Sequence, residues 1–386
     1  MSDTASQTLL PEGLRDVLSP DAAREAAVVE TLSSCFEANG YERVSPPLVE
    51  FESTLLSGMG AATADRIFRM VDPISQRTLG IRADVTAQIA RLASTRLQKA
   101  PRPLRLMYAG QVLRVKGHQL RPERQFSQVG FELIGPDSVA ADAEAIMVAA
   151  EAVMALGVKG VTIDLALPPL VPAILEAAGK QAASNDELYS ALNQKDSKRI
   201  QELGGESGRI LVELVEASGP IESAKRKLKN IKLPEKASAY LSTLFDVGER
   251  LSSGATGLSL TVDMVENRGI QYHTGLTFFL FAKGSMREIG RGGRYEIDHG
   301  EGVIERATGA TLFVDSLLPV CPAENQASRL YVSFGTPRED IKQLQTEGFR
   351  IIASLSTDDD AMENAIKLGC THILQNGVVT DVPSKG

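Results

Sequence analysis

Residues 104–135 read LRLMYAGQVLRVKGHQLRPERQFSQVGFELIG, and the fold turns on how this stretch is read. Residues 104–114 are apolar at both alternating sets of positions, as expected of a strand in the middle of a sheet. Residues 115–123 contain Gly117, Pro122 and several polar side chains, which predicts a loop. From Arg124 onward the pattern alternates. Val129, Phe131 and Leu133 point one way, while Arg124, Phe126, Gln128, Gly130 and Glu132 point the other. The second set comprises a cation, a ring, an amide, a gap and a carboxylate. Buried, it requires partners or a ligand; the competing reading is an amphipathic strand with one solvated face.

Towards the N-terminus, Ser19–Pro20 predicts a helix start, with Ser19 as cap and Pro20 in the first turn. Val28, Leu32, Cys35 and Phe36 form its apolar stripe, and Asn39–Gly40 ends it. Residues 41–50, YERVSPPLVE, read as one edge strand, because Pro46 and Pro47 cannot donate to a ladder. A hairpin over 66–80 leads into IRADVT, where Asp84 precedes a helix as either its cap or a ligand-binding acid. Towards the C-terminus, Ser138 caps an Ala-rich helix over 140–156, stopped by Gly157, and a strand follows over 161–167. Residues 168–257 are helical and charged and form an inserted helical subdomain, with the basic run Lys225–Lys229 on a solvated face. Sheet returns at 258–264, continues as strand–turn–strand over 267–281, and includes GRGGRY at 290–295, whose glycines suggest a bulge or a close backbone approach. A linker after Cys321 precedes strands at 329–334, 349–355 and 371–374, alternating with helices at 338–347 and 358–367. The expected division is 1–167 with 258–320, then 168–257, then 328–386.

The totals narrow the function classes. With 386 residues, 43% hydrophobic and 23% charged, the chain supports two or three domains with cores. Its formal charge of −8 argues against a dedicated nucleic-acid binder. No apolar run reaches membrane length, and LALPPLVPAILEAAG is short and broken by prolines. The first residues lack a basic segment followed by an apolar stretch. Cys35, Cys321 and Cys370 are scattered and odd in number, as reduced structural thiols are, so the expected location is the cytoplasm. His118, His273, His299 and His372 have no ligand spacing. Neither a metal nor a cofactor is expected.

Arg114, the loop, Arg124, Phe126, Gln128 and Glu132 together resemble motif 2 of the class II aminoacyl-tRNA synthetases, in the form found in the histidyl-tRNA synthetase family. The helix, Gly-Tyr, strand and prolines up to Glu50 resemble motif 1, which implies a dimer built on that segment. IRADVT is similar to the family's Leu-Arg-Pro-Glu-x-Thr, with Asp84 shortened from Glu and Thr86 in register. Arg268, Gly269, Tyr272 and His273 fall on the family's histidine-recognition segment, and GGRY follows it. His273 stands where the family has Tyr, and an unperturbed imidazole titrates near neutral pH. The resemblance implies an α+β fold: an antiparallel sheet flanked by helices, with a helical insertion and a small C-terminal α/β domain. It also implies Asp84, Thr86, Arg114, Gln128, Glu132, Arg268, Tyr272 and His273 as candidate histidine contacts.

The ATP half of the motifs departs from the family. Lys116 stands where a Glu accepts from the adenine amine, and an ammonium has no lone pair for that bond. Phe126, which would stack on adenine, and Arg114, the α-phosphate contact, persist. GATLFVDS at 309–316 replaces motif 3, with Phe313 at a glycine position and Ser316 at the position of the second adenine-stacking Arg. Adenylation and tRNA binding are therefore not expected. The branch with this pattern contains the regulatory subunits of ATP phosphoribosyltransferase. That likeness implies a hetero-oligomer, of hetero-octamer type, with a short catalytic subunit in the first step of histidine biosynthesis, with L-histidine as effector. An amino-acid sensor or assembly module of another pathway, or an active histidyl-tRNA synthetase, are the alternatives.

Overall fold

The alternation in residues 104–134 becomes an antiparallel strand pair, Leu104–Leu113 against Gln125–Ile134, at the heart of the main sheet. The computed structural model describes residues 9–117, 121–179, 185–254, 257–266, 272–322, 328–357 and 360–383. The chain forms two compact units divided after Pro322. In the first, the strands are β1 (Glu42–Arg43), β2 (Val49–Phe51), β3 (Phe68–Val71), β4 (Thr78–Ile81), β5 (Leu104–Leu113) and β6 (Gln125–Ile134). They continue as β7 (Val161–Ala166), β8 (Gly219–Pro220), β9 (Ser259–Asp263), β10 (His273–Ala282), β11 (Gly290–Asp298) and β12 (Ile304–Phe313).

Nine of these strands make one sheet in the order β1–β5–β6–β12–β11–β10–β7–β9–β8. It is antiparallel from β5 through β7, while β1 runs parallel to β5 and β9 parallel to β7. On one face Val129, Phe131 and Leu133 pack under the helices Asp21–Ala38 and Val139–Ala155. The Phe131 ring lies 4.7 Å from those of Phe36 and Tyr41. On the other face Tyr108, Phe126, Tyr295 and Phe313 pack with Val85 and Ile89, at and beyond the start of the helix Thr86–Ser94. The alternation read from β6 is therefore real, and both of its faces are buried. This is the α+β arrangement, an antiparallel sheet flanked by helices, that the resemblance implies.

Several expectations change in detail. Residues 41–50 do not form one strand. They divide at Pro46–Pro47 into β1, on the edge of the large sheet, and β2, in a separate three-stranded sheet ordered β2–β4–β3. Ser19 does not cap the first helix. Pro20 occupies the cap position, and the carbonyls of Leu18 and Pro20 accept from Ala22, Ala23 and Arg24. Ser138 does cap its helix, accepting from Ala141 N at 3.2 Å. The expected strand–turn–strand at 267–281 is a single strand from His273 onward, while 267–271 lie outside the described residues. The helices of 168–257 bury Leu170, Leu188, Leu214 and Leu244 in the same core as Ile146 and Phe278, so this segment shares the first unit's core.

The second unit has strands β13 (Arg329–Val332), β14 (Arg350–Ala353), β15 (His372–Gln375) and β16 (Val378–Asp381), ordered β14–β13–β15–β16. Helices Arg338–Thr346 and Ala361–Lys367 connect the three parallel strands. The antiparallel β16 was not anticipated. Asn376–Gly377, both at positive φ, turn the chain back into it. No described helix is long and apolar enough to cross a membrane.

Candidate functional site

Glu132 is the centre of the site. It is 2% exposed, sits mid-strand on β6, and is flanked in register by Leu106 of β5 and Gly309 of β12. A Cβ at Gly309 would collide with the Glu132 carboxylate and the Phe131 carbonyl, so only glycine lets the acid lie flat across β12. Two residues earlier Gly130 performs the same service for Tyr108, whose hydroxyl crosses over it to bond with Thr311 Oγ1 at 2.7 Å and Thr86 Oγ1 at 3.2 Å. Tyr295 OH of β11 donates to Glu132 at 3.0 Å. Among the described residues no cation lies within ion-pair distance of Glu132. Burial, with a smaller push from Asp84, raises its pKa to about 8, against the lowering influence of the Tyr295 and Thr86 hydroxyls.

Asp84 approaches from the turn before the helix Thr86–Ser94. One carboxylate oxygen accepts from Thr86 N at 3.0 Å and the other from Gln128 Nε2 at 3.0 Å. Gln128 Oε1 in turn accepts from Val85 N at 3.1 Å. Val85 occupies the helix cap position, so Asp84 is not the cap; its bond to Thr86 N fixes the carboxylate one residue ahead of that position. Gln128, fully buried, orients Asp84 and does not line the hollow itself. Asp84, Thr86, Glu132, Tyr272, His273 and Tyr295 line a small hollow of about 10 Å³, room for about one water molecule. The rings of Tyr272 and His273 stack at 4.1 Å. Arg268 lies outside the described residues.

Beside this hollow is a cavity of about 830 Å³, walled by Arg66, Arg114, Lys116, Arg121, Arg287 and Arg291 together with Asp65, Asp164, Glu266, Glu288 and the apolar Phe279, Phe281 and Met286. Arg114 lies here rather than in the acidic hollow. Its Nε donates to the Ala83 carbonyl at 3.2 Å, and its guanidinium lies 4.8 Å from the Phe126 ring centre. Burial first, then the neighbouring Arg291, Arg121 and Arg66, bring its pKa down to about 10, despite the opposing influence of Asp84. Arg291 borders both spaces. Burial works against its charge, but Glu288, Tyr272 and Asp84 outweigh it and raise its pKa.

Phe313 and Ser316, both buried, are engaged by Arg121 from the motif 2 loop. The Arg121 guanidinium lies 3.8 Å from the Phe313 ring centre and 5.1 Å from that of Phe126. It donates to Ser316 Oγ at 3.0 Å and pairs with Asp315 at 3.3 Å. Arg287 braces the same acid at 3.2 Å. One guanidinium thus fills the corner between the two Phe rings. Lys116 is exposed at the cavity wall.

Some of these residues follow from sequence patterns and some do not. Tyr108 and Tyr295 share period-two alternation with the buried positions of their strands, and Arg291 falls on the same strand face as Tyr295. Arg121 has no such signal, being one arginine in a polar loop. Arg294 of GGRY lies on the opposite face, where it binds Asp142 at 2.8 Å and Asp137 at 3.1 Å and ties β11 to the start of the helix Val139–Ala155. Among the described residues no group of three His, Cys, Asp or Glu side chains is placed to hold a metal ion.

The family profile described as histidyl-tRNA synthetase matches residues 13–317. A curated relative from Paramagnetospirillum magneticum, named ATP phosphoribosyltransferase regulatory subunit, is 49% identical over 98% of this chain and 99% of its own length. The protein of the same name from Rhodospirillum centenum is 46% identical over 98% of each chain. Among solved structures, a Bacillus halodurans protein described as an ATP phosphoribosyltransferase regulatory subunit/histidyl-tRNA synthetase superposes with a TM-score of 0.76 at 23% identity, covering 92% of this chain and 96% of that one. Histidyl-tRNA synthetase from Nostoc sp. PCC 7120 gives 0.80 at 18% identity, over 97% and 94%. These two likenesses establish the fold. With an acidic hollow kept and the neighbouring aromatic corner filled from within, and with near-full-length relatives of one name, the chain belongs to the ATP phosphoribosyltransferase regulatory subunit family, on a histidyl-tRNA synthetase-like fold.

Proposed function

We propose that this chain is a non-catalytic subunit that activates a separate short ATP phosphoribosyltransferase and transmits feedback inhibition by L-histidine to it. The observation that carries the reading is the asymmetry of the site. The carboxylates Asp84 and Glu132 stay together in one hollow, while Arg121 occupies the corner between Phe126 and Phe313. An amino acid's ammonium matches the two acids through charge-assisted hydrogen bonds. Tyr272 and His273 lie at the ring end, and Arg268 is proposed for the carboxylate. Admission of histidine requires the hollow to widen, and such a difference between states is what allosteric control needs. A guanidinium stacked where adenine would lie argues against adenylation, so the chain has no aminoacyl-tRNA synthetase activity and needs no tRNA.

The working assembly is a cytoplasmic hetero-oligomer, of hetero-octamer type, in which this chain self-associates as a dimer through residues 41–50. The test is to purify the chain with a recombinant short phosphoribosyltransferase subunit and measure co-purification and turnover. Expected are turnover only with both subunits present, inhibition by histidine, and no histidine-dependent ATP–pyrophosphate exchange by the chain alone. Turnover by this chain alone, or exchange at the rate of an ordinary synthetase, refutes the reading.

A further inference from the structure

From the geometry around Glu132 we infer that binding of an amino acid's ammonium in this hollow expels one proton, so that the sensor reads its ligand through proton release. The inference rests on the reading of the hollow as the histidine site. Glu132 is buried among strands with no cation within ion-pair reach among the described residues, and the hydroxyls of Tyr295 and Thr86 are the polar groups that act on its carboxyl. The groups around it are Tyr108 on β5, Tyr295 and Arg291 on β11, Tyr272 just before β10, His273 at the start of β10, and Thr86 and Asp84 at the helix start; β12 offers Gly309. Arg291 faces Asp84, and its influence is shared with Glu288 and Tyr272. Buried in a space of about 10 Å³ with Asp84 beside it, Glu132 keeps its proton in the ligand-free state near neutral pH.

An incoming ammonium changes that balance. It brings hydrogen-bond donors only, and a carboxyl O–H facing it sets donor against donor. Breaking the Glu132 O–H bond and passing that proton to solvent turns the acid into an acceptor and places an anion against the cation. Charge within the hollow rises by one with the ammonium and falls by one with the proton. No oxidant or covalent partner is involved. Affinity therefore rises up to about tenfold per pH unit while Glu132 is protonated in the free protein, and levels off above its titration.

The test is calorimetric titration of the intact chain with L-histidine at pH 7, in buffers of low and high ionisation enthalpy. Expected is a dependence of the binding heat on buffer enthalpy that corresponds to roughly 0.9 proton released per histidine, given a Glu132 pKa of about 8. Glu132→Gln mimics the neutral acid, keeps an acceptor for Tyr295, and should bind more than about tenfold more weakly with no buffer dependence. Wild-type binding without proton release overturns the inference and leaves the site reading standing. A wild-type buffer dependence retained in Glu132→Gln assigns the proton elsewhere and also overturns it. No binding at millimolar histidine, checked by equilibrium dialysis, overturns the site reading and the inference together.

Discussion

A carboxylate raised from 4.5 to about 8 by burial makes a prediction about stability as well as binding. Between those two values folded Glu132 keeps a proton that the unfolded chain has lost. The folded state therefore loses stability as pH rises from about 4.5 through 8, by at most about 1.4 kcal/mol per unit. Glu132→Gln carries no such titration. Its melting temperature relative to wild type should climb between pH 6 and pH 8.5, and a difference that stays flat or falls would contradict the burial argument. Arg121 offers the opposite case, a buried cation that holds an acid in place. The carboxylate oxygens of Asp315 are buried and, among the described residues, have no hydrogen bond, only ion pairs with Arg121 and Arg287. Arg121→Ala leaves it with Arg287 alone, and unfolding in urea should show a loss of about 3 kcal/mol. Replacing the acid as well, in Arg121→Ala/Asp315→Asn, should recover part of that loss because an amide tolerates the missing cation. Equal losses in the single and double variants would mean that Arg121 acts by packing on Phe313 alone.

At the level of the element, what was legible in the sequence is what alternation and breakers encode. The first strand of the pair 104–134 follows from an apolar run on both faces, the two faces of β6 from period two, and the Ala-rich helix from its Ser138 cap and Gly157 stop. The division of 41–50 was not legible, because two prolines forbid ladder donation equally well in one edge strand or between two short ones. Nor was β16, whose residues VVTD are exposed on most sides and too few to set a pattern. In the site, the acid positions were legible and the roles of Gly130 and Gly309 were not. Their meaning lies in the Tyr108 and Glu132 side chains from neighbouring strands that cross them. The split at Pro46–Pro47 creates a groove of about 730 Å³ lined by both prolines with Val44, Phe51, Leu79, Leu92 and Leu97, beside the two-residue edge strand β1. A short edge next to an apolar groove calls for a cover, and the proposed dimer supplies one. Leu48, 46% exposed in this segment, should lie in that contact, so Leu48→Asp should shift the chain from dimer to monomer in sedimentation at micromolar concentration, with its circular dichroism unchanged. A variant that remains dimeric would move the contact elsewhere.

For the whole molecule, the acidic hollow becomes a regulator only if it is energetically linked to something distant. The hollow admits about one water in the structure described, and Arg291 joins it to the cavity of about 830 Å³ next door. Opening the first space to receive an amino acid displaces Tyr272, His273 or Arg291, and the second space shares that last wall. A second shape of that wall would supply the two-state element that the proposed allostery requires. Linkage then dictates a reciprocal experiment. If histidine weakens the grip of this chain on its catalytic partner by some factor, the partner must weaken histidine binding by the same factor. Histidine affinity measured by calorimetry on the chain alone and on the assembled complex, and subunit affinity measured with and without saturating histidine, close that cycle. A factor of 5–150, corresponding to about 1–3 kcal/mol of coupling, is the expected range. Glu132→Ala should weaken histidine binding and feedback inhibition in parallel while leaving the subunit affinity measured without histidine unchanged. Inhibition that persists undiminished in this variant, with binding to the isolated chain abolished, would place the effector site outside the hollow, most simply at the contact between the two kinds of subunit.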